Sequence, residues 1–77
     1  MYLILKDIDN KKSAANKFEN CNFEFPINLK VGLRAEIKLK EDSKFLLTSE
    51  VQNYWFSDDL LYIDTQNSRY MFEIVCD

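Results

Sequence analysis

The chain has 77 residues, with 10 basic and 13 acidic side chains, no histidine, one glycine, one proline and two cysteines, a size that fits one small domain over residues 1–77. A composition 47% apolar and 14% aromatic belongs to a folded globule, because disordered segments lack the apolar groups that offset chain entropy. The same counts argue against an enzyme, a cofactor or a metal: there is no imidazole base or ligand, the single Gly32 cannot build a phosphate-cradling loop, and Cys21 and Cys76 lie too far apart for a CxxC pair and are too few for a zinc site.

Along the chain, residues 1–8 read as a first strand, closed by the turn-prone Asp9-Asn10-Lys11-Lys12. Ser13 to Glu19 is the one helical candidate, with Ser13 as N-cap ahead of two alanines. Cys21, Phe23 and Phe25 then alternate with Asn22 and Glu24 up to Pro26, whose missing donor places it at a bend or a sheet edge. From Ile27 to Leu39 every odd position is apolar, which predicts one long strand or two strands joined by a bulge at Gly32. The last third predicts a meander with strands at 45–48, 50–56, 60–65 and 69–76, separated by turns at 41–44, 57–59 and 66–68. Asn67 is the residue expected to take the left-handed conformation of a tight hairpin. The fold class is therefore all-β with one short helix near 13–19: a small antiparallel domain, either an SH3-like barrel or a sandwich.

No apolar run approaches the roughly 20 residues that span a bilayer, and Met1 to Leu5 is too short for the apolar region of a signal peptide. The expected setting is cytoplasmic, away from membranes, with both cysteines as reduced thiols. Asn, Lys, Ile, Tyr and Phe make up 31 residues, whereas Gly, Ala, Arg and Pro make up 7. The first group uses AT-rich codons, which points to an AT-rich bacterium, its phage or a mobile element.

Charge is unevenly spread. Residues 1–44 carry nine Lys/Arg against seven Asp/Glu, whereas residues 45–77 carry Arg69 alone against six acids and hold seven of the eleven aromatics. Such an acidic aromatic surface disfavours direct contact with nucleic acid and favours a partner protein with a basic surface. The candidate partner-binding residues are Glu50, Tyr54, Trp55, Asp58, Asp59 and Asp64. Neighbouring strand residues point to opposite faces, so Trp55 cannot share a face with Tyr54 and Phe56, and one set needs a cover outside the core: a partner, or a second copy of this chain. The plain alternative is a solvated face whose carboxylates protect edge strands. Lys30, Arg34, Lys38 and Lys40 fall on the polar side of the alternating stretch as a cationic stripe interrupted by Glu36. A second candidate site combines Arg34, Thr65, Asn67, Ser68 and Arg69 for a small phosphorylated, nucleotide-like ligand, in a pocket that an oligomer would complete between chains. Asp58-Asp59 reads as a capped turn rather than a metal pair, because no further ligand stands at a recognisable spacing.

Leu47-Thr48-Ser49-Glu50-Val51, followed fourteen residues later by Thr65-Gln66-Asn67-Ser68-Arg69-Tyr70 and then Phe72-Glu73, resembles the pattern T-S-x-V … T-x-N-S-x-Y of small β-rich accessory proteins of phages and prophages of low-GC Gram-positive bacteria. Leu29-Lys30-Val31-Gly32-Leu33-Arg34 is similar to the entry of an SH3-like barrel. The resemblance implies a non-enzymatic protein that binds and inhibits a host defence protein, CRISPR effectors included, in the host cytoplasm. It also implies that Thr48, Ser49, Val51, Thr65, Asn67, Ser68 and Tyr70 act as hairpin and core positions. A plain SH3-like assembly module is the remaining expectation.

Overall fold

A computed structural model describes residues 1–77. Strand β1 (Tyr2–Ile8) is followed by a short 3-10 helix (Ala14–Phe18), β2 (Asn22–Glu24), β3 (Arg34–Lys38), β4 (Phe45–Ser57), β5 (Leu60–Thr65) and β6 (Arg69–Val75). All pairings are antiparallel, in the order β2-β1-β6-β5-β4-β3. The two outer strands approach each other through the Phe23–Leu39 bridge and a bond from Lys40 N to Asn22 O at 2.9 Å. Neighbours in sequence are thus neighbours in space all the way round, and β6 returns to β1. The result is a nearly closed six-stranded up-and-down barrel, a solution that leaves few free strand edges.

Period-two alternation fills the barrel. Leu3 and Leu5 of β1 point inward until a bulge between Leu5 and Asp7 shifts the phase and turns Ile8 inward instead. Phe23, Ala35, Ile37, Leu46, Val51, Leu61, Ile63, Tyr70 and Phe72 complete the barrel interior. Phe23 meets Phe72 edge-on with ring centroids 5.7 Å apart, and Phe18 from the helix closes on Phe23 at 6.2 Å. A chain of this size has a total stability of roughly 4–12 kcal/mol. Truncating a buried phenylalanine to alanine costs about 3–5 kcal/mol, so losing Phe23 or Phe72 alone would remove a large share of that stability.

The helical candidate is a 3-10 helix: the Ser13 hydroxyl accepts from Ala15 N at 3.1 Å, and Ala15 is the residue it buries. Asn20, with φ 67°, ends this segment, and its N–H donates to Leu5 O at 2.7 Å, returning the chain to β1. Pro26 stands at a bend just after β2.

Three expectations are corrected. The alternating stretch 27–39 is not one long strand, since only Arg34–Lys38 is regular. Lys30 O accepts from Leu33 N in a turn at 3.2 Å, Gly32 takes φ 94°, and Val31 and Leu33 are exposed rather than buried. Ile27 and Leu29 still pack on the core from an irregular segment, which is how the alternation survives without a strand. Conversely, 45–48 and 50–56 are not separate strands but one, Phe45–Ser57, with a bulge where a break was expected. The left-handed hairpin residue is Asp58, with φ 54°, and not Asn67.

Candidate partner-binding surface

Strand β4 belongs to two ladders. Its first half pairs with β3, from Phe45 opposite Lys38 to Glu50 opposite Arg34; its second half pairs with β5, from Val51 opposite Thr65 to Ser57 opposite Leu60. The β3 side ends at Leu33, which accepts from Val51 N at 2.9 Å. Beyond a bulge between Val51 and Asn53, residues 52–57 have β5 on one side and no strand on the other. Tyr54 and Phe56 stand opposite the buried Ile63 and Leu61, on what is elsewhere the barrel's inner face. No strand covers them there, so Tyr54 is 37% and Phe56 56% exposed.

Trp55 lies on the other face, as the alternation requires. It stacks on Tyr62 with centroids 5.1 Å apart and planes 11° from parallel, and the Arg69 guanidinium sits 5.3 Å from its ring centre. That guanidinium also donates to both oxygens of Asp64, from Nε at 2.6 Å and Nη2 at 3.1 Å. The Asp64 carboxylate beside it holds the Arg69 pKa above its ordinary value. Asp64 and Trp55 are thus engaged within the protein.

Asp58 and Asp59 form the two-residue loop between β4 and β5, and the Asp59 carbonyl accepts from Ile74 N at 2.7 Å, fastening the loop to β6. Their carboxylates and that of Glu50 make no ion pair. Of the six sequence candidates, the structure brings Tyr54, Trp55, Asp58 and Asp59 onto one hairpin. Asp64 stands on the Trp55 side, and Glu50 sits apart beside the β3 pairing.

The second candidate set divides. Arg34, Asn67 and Ser68 line a mostly polar cleft of about 710 Å³, together with Ser13, Ser49 and Glu50. Arg34 Nε is already spent on Thr48 O at 2.8 Å. Thr65 is buried beneath the cleft floor, and Arg69 faces away with Asp64. The cationic stripe also disperses. Lys30 lies in the irregular segment, Lys38 bonds Glu24 at 3.3 Å, and Lys40 covers the Tyr2 ring at 4.2 Å.

The motif residues 48–51 and 65–70 form one clasp across the barrel end. Thr48 Oγ1 accepts from Ala35 N at 3.0 Å, taking over a ladder bond that the β3–β4 bulge removes. Ser49 Oγ donates to Thr65 Oγ1 at 2.9 Å and accepts from Asn67 N at 3.2 Å. Thr65 Oγ1 in turn donates to Ser68 O at 2.9 Å and accepts from Ser68 N at 3.1 Å. Thr48, Val51, Thr65, Ser68 and Tyr70 are all buried, so these positions hold the fold together.

The outer face of β3–β4 lies outside the sequence-predicted sites. Leu47 is 54% exposed although Leu46 beside it is buried, and Phe45 and Leu33 share the wall of a shallow pocket. The doublet Leu46-Leu47 was the available signal, because two successive strand residues cannot both face the core. Cys21 and Cys76 are free thiols, and no helix is long and apolar enough to cross a membrane. Comparison with protein-family models, curated proteins and solved structures finds no match to this chain.

Proposed function

We propose that this protein is a non-enzymatic binding module that seats its β4–β5 hairpin on a basic, nucleic-acid-binding surface of another protein and occludes it. One observation carries the reading: a single hairpin combines two aromatics without a cover, Tyr54 and Phe56, with two carboxylates without a cation, Asp58 and Asp59. Aromatic side chains are the usual energetic anchors of protein interfaces. Unpaired acids beside them steer a positive partner and reject phosphate backbones. The one cation nearby, Arg69, is matched by Asp64 and leaves the local field negative. A host defence protein that grips nucleic acid, the class implied by the resemblance, has the complementary surface.

The test is competition. The immobilised protein is offered lysate of a low-GC Gram-positive host, and the captured protein is assayed for oligonucleotide binding with and without this chain. Capture that survives Phe56→Ala together with Asp58→Lys/Asp59→Lys, or a captured protein that still binds its oligonucleotide, rejects the reading.

The cleft favours a second reading, since Arg34, Asn67 and Ser68 do share it. A nucleotide-like ligand would sit between Arg34 and Glu50, one favourable and one unfavourable charge. Binding at 100 times the dissociation constant adds about 2.7 kcal/mol to stability, so thermal-shift screening with cyclic dinucleotides, repeated on Arg34→Ala, decides it.

A further inference from the structure

The uncovered side of β4 is a strand edge as well as an aromatic patch. A two-residue loop closes on a hydrogen-bonded pair, here Ser57 and Leu60, and pairs of that kind recur at every second residue. Ser57, Trp55 and Asn53 therefore turn their peptide groups toward β5, while Tyr54 and Phe56 turn theirs outward, where β3 no longer reaches. A side-chain contact agrees: Tyr54 N–H donates to the Oδ1 of its own neighbour, Asn53, at 2.9 Å, a bond that only an amide free of the β5 ladder can make. Barrels normally leave no such edge, and exposed edges are usually blunted by lysine or proline. Residues 52–57 contain neither.

Resting on the reading above, we infer that the partner contributes an extended, lysine- or arginine-bearing segment that pairs with β4 at residues 52–57 and adds a strand to the sheet. Main-chain bonds from Tyr54 and Phe56 would supply affinity, as in other strand-addition complexes. Alternate apolar side chains of the segment would lie along the exposed Tyr54 and Phe56 rings. Charge selects the occupant. Asp58 and Asp59 at the end of the edge have no cation, so a strand with basic residues meets opposite charge there, whereas the same edge of a second copy, flanked by the same two carboxylates, would bring like charge. Asn53 acts as a temporary cap that the incoming strand displaces.

The probe is a synthetic octapeptide of alternating valine and lysine, with a valine–glutamate peptide as control, read by amide hydrogen exchange on the full chain. At about ten times its dissociation constant the lysine peptide should slow exchange at Tyr54 and Phe56 about tenfold, with the β5 amides unchanged. Asn53→Ala should speed exchange at Tyr54 in the free protein and tighten the peptide. Binding that leaves the Tyr54 and Phe56 amides untouched overturns strand addition, as does equal protection by the glutamate peptide. Protection that appears without peptide and rises with protein concentration assigns the edge to a second copy and overturns the inference. If the peptide fails while the hairpin variants still abolish capture of the basic protein, this inference falls and the reading beneath it stands; if both fail, both fall.

Discussion

Ser49 donates its hydroxyl to Thr65 across 16 positions of sequence, at 2.9 Å, and so ties the bulged part of β4 to the turn between β5 and β6. Thr65 Oγ1 also serves both backbone groups of Ser68, and it does so while almost fully buried. Thr65→Val keeps the shape and removes all three bonds. Orphaned buried groups cost about 1–3 kcal/mol, so the variant should lose that much in urea unfolding, whereas Thr65→Ser, which keeps the oxygen, should lose less. A Thr65→Val protein as stable as the parent would mean that the clasp contributes nothing to stability.

Thr48→Val poses the same question at the β3–β4 bulge. Its hydroxyl accepts from the buried Ala35 N–H at 3.0 Å. Stranding that donor should cost about 1–3 kcal/mol, and exchange at the Ala35 amide should accelerate beyond what global unfolding explains. An unchanged Ala35 amide would show that water or a relaxed ladder takes the place of Thr48.

Trp55 and Phe56 are adjacent but should separate stability from binding. Trp55→Ala removes a stacked partner from Tyr62 and a guanidinium contact. Aromatic pairs contribute about 0.5–1.5 kcal/mol beyond their buried area, so this variant should be measurably less stable. Phe56 has more than half of its surface in solvent. Phe56→Ala should stay within about 0.5 kcal/mol of the parent while weakening capture of the basic partner. A Phe56→Ala protein that unfolds as readily as Trp55→Ala would place Phe56 in the core.

Gly32→Ala tests the segment where sequence and structure part. A Cβ at this position would touch nothing within 4 Å, yet φ is 94°. The expected loss is about 1 kcal/mol, from backbone conformation alone, and Gly32→Asn should lose less because asparagine tolerates left-handed conformations. A Gly32→Ala protein of unchanged stability would mean that this turn relaxes at no cost.

The same segment shows what could be read from sequence. Strand β5 lay between two turn clusters and was legible to the residue, as was the Ser13 cap. The thirteen-residue alternation misled, because apolar residues at every second position mark a half-buried path whether or not it is a strand; the turn at Gly32 is set by one positive φ, and a bulge at that glycine satisfied the same pattern. The acidic aromatic hairpin was legible as composition, and the opposite faces of Trp55 and Tyr54 followed from strand periodicity. What sequence did not carry was pairing. That pairing on the β3 side ends opposite Val51 and leaves Tyr54 and Phe56 at an open edge depends on register, and register is fixed by two bulges with no glycine or proline to announce them.

Tyr70 offers a test from the alkaline side. Its ring is buried against Phe72, and burial pushes the phenol above its ordinary value of 10.0, with the Ser13 and Ser68 hydroxyls pulling the other way and the Asp9 charge adding to the rise. In the unfolded chain the phenol ionises at its ordinary value; in the folded protein it holds its proton longer. The stability arising from that difference is fully present below the ordinary value and is lost as pH rises through the elevated one. Urea midpoints measured between about pH 9 and pH 11.5 should therefore fall more steeply for the parent than for Tyr70→Phe, which has no proton to lose. Both proteins share the remaining tyrosines and lysines, so the difference between their slopes isolates Tyr70. Parallel curves would show that the hydroxyl already reaches water through the cleft lined by Ser13 and Ser68, and that its burial does not resist ionisation.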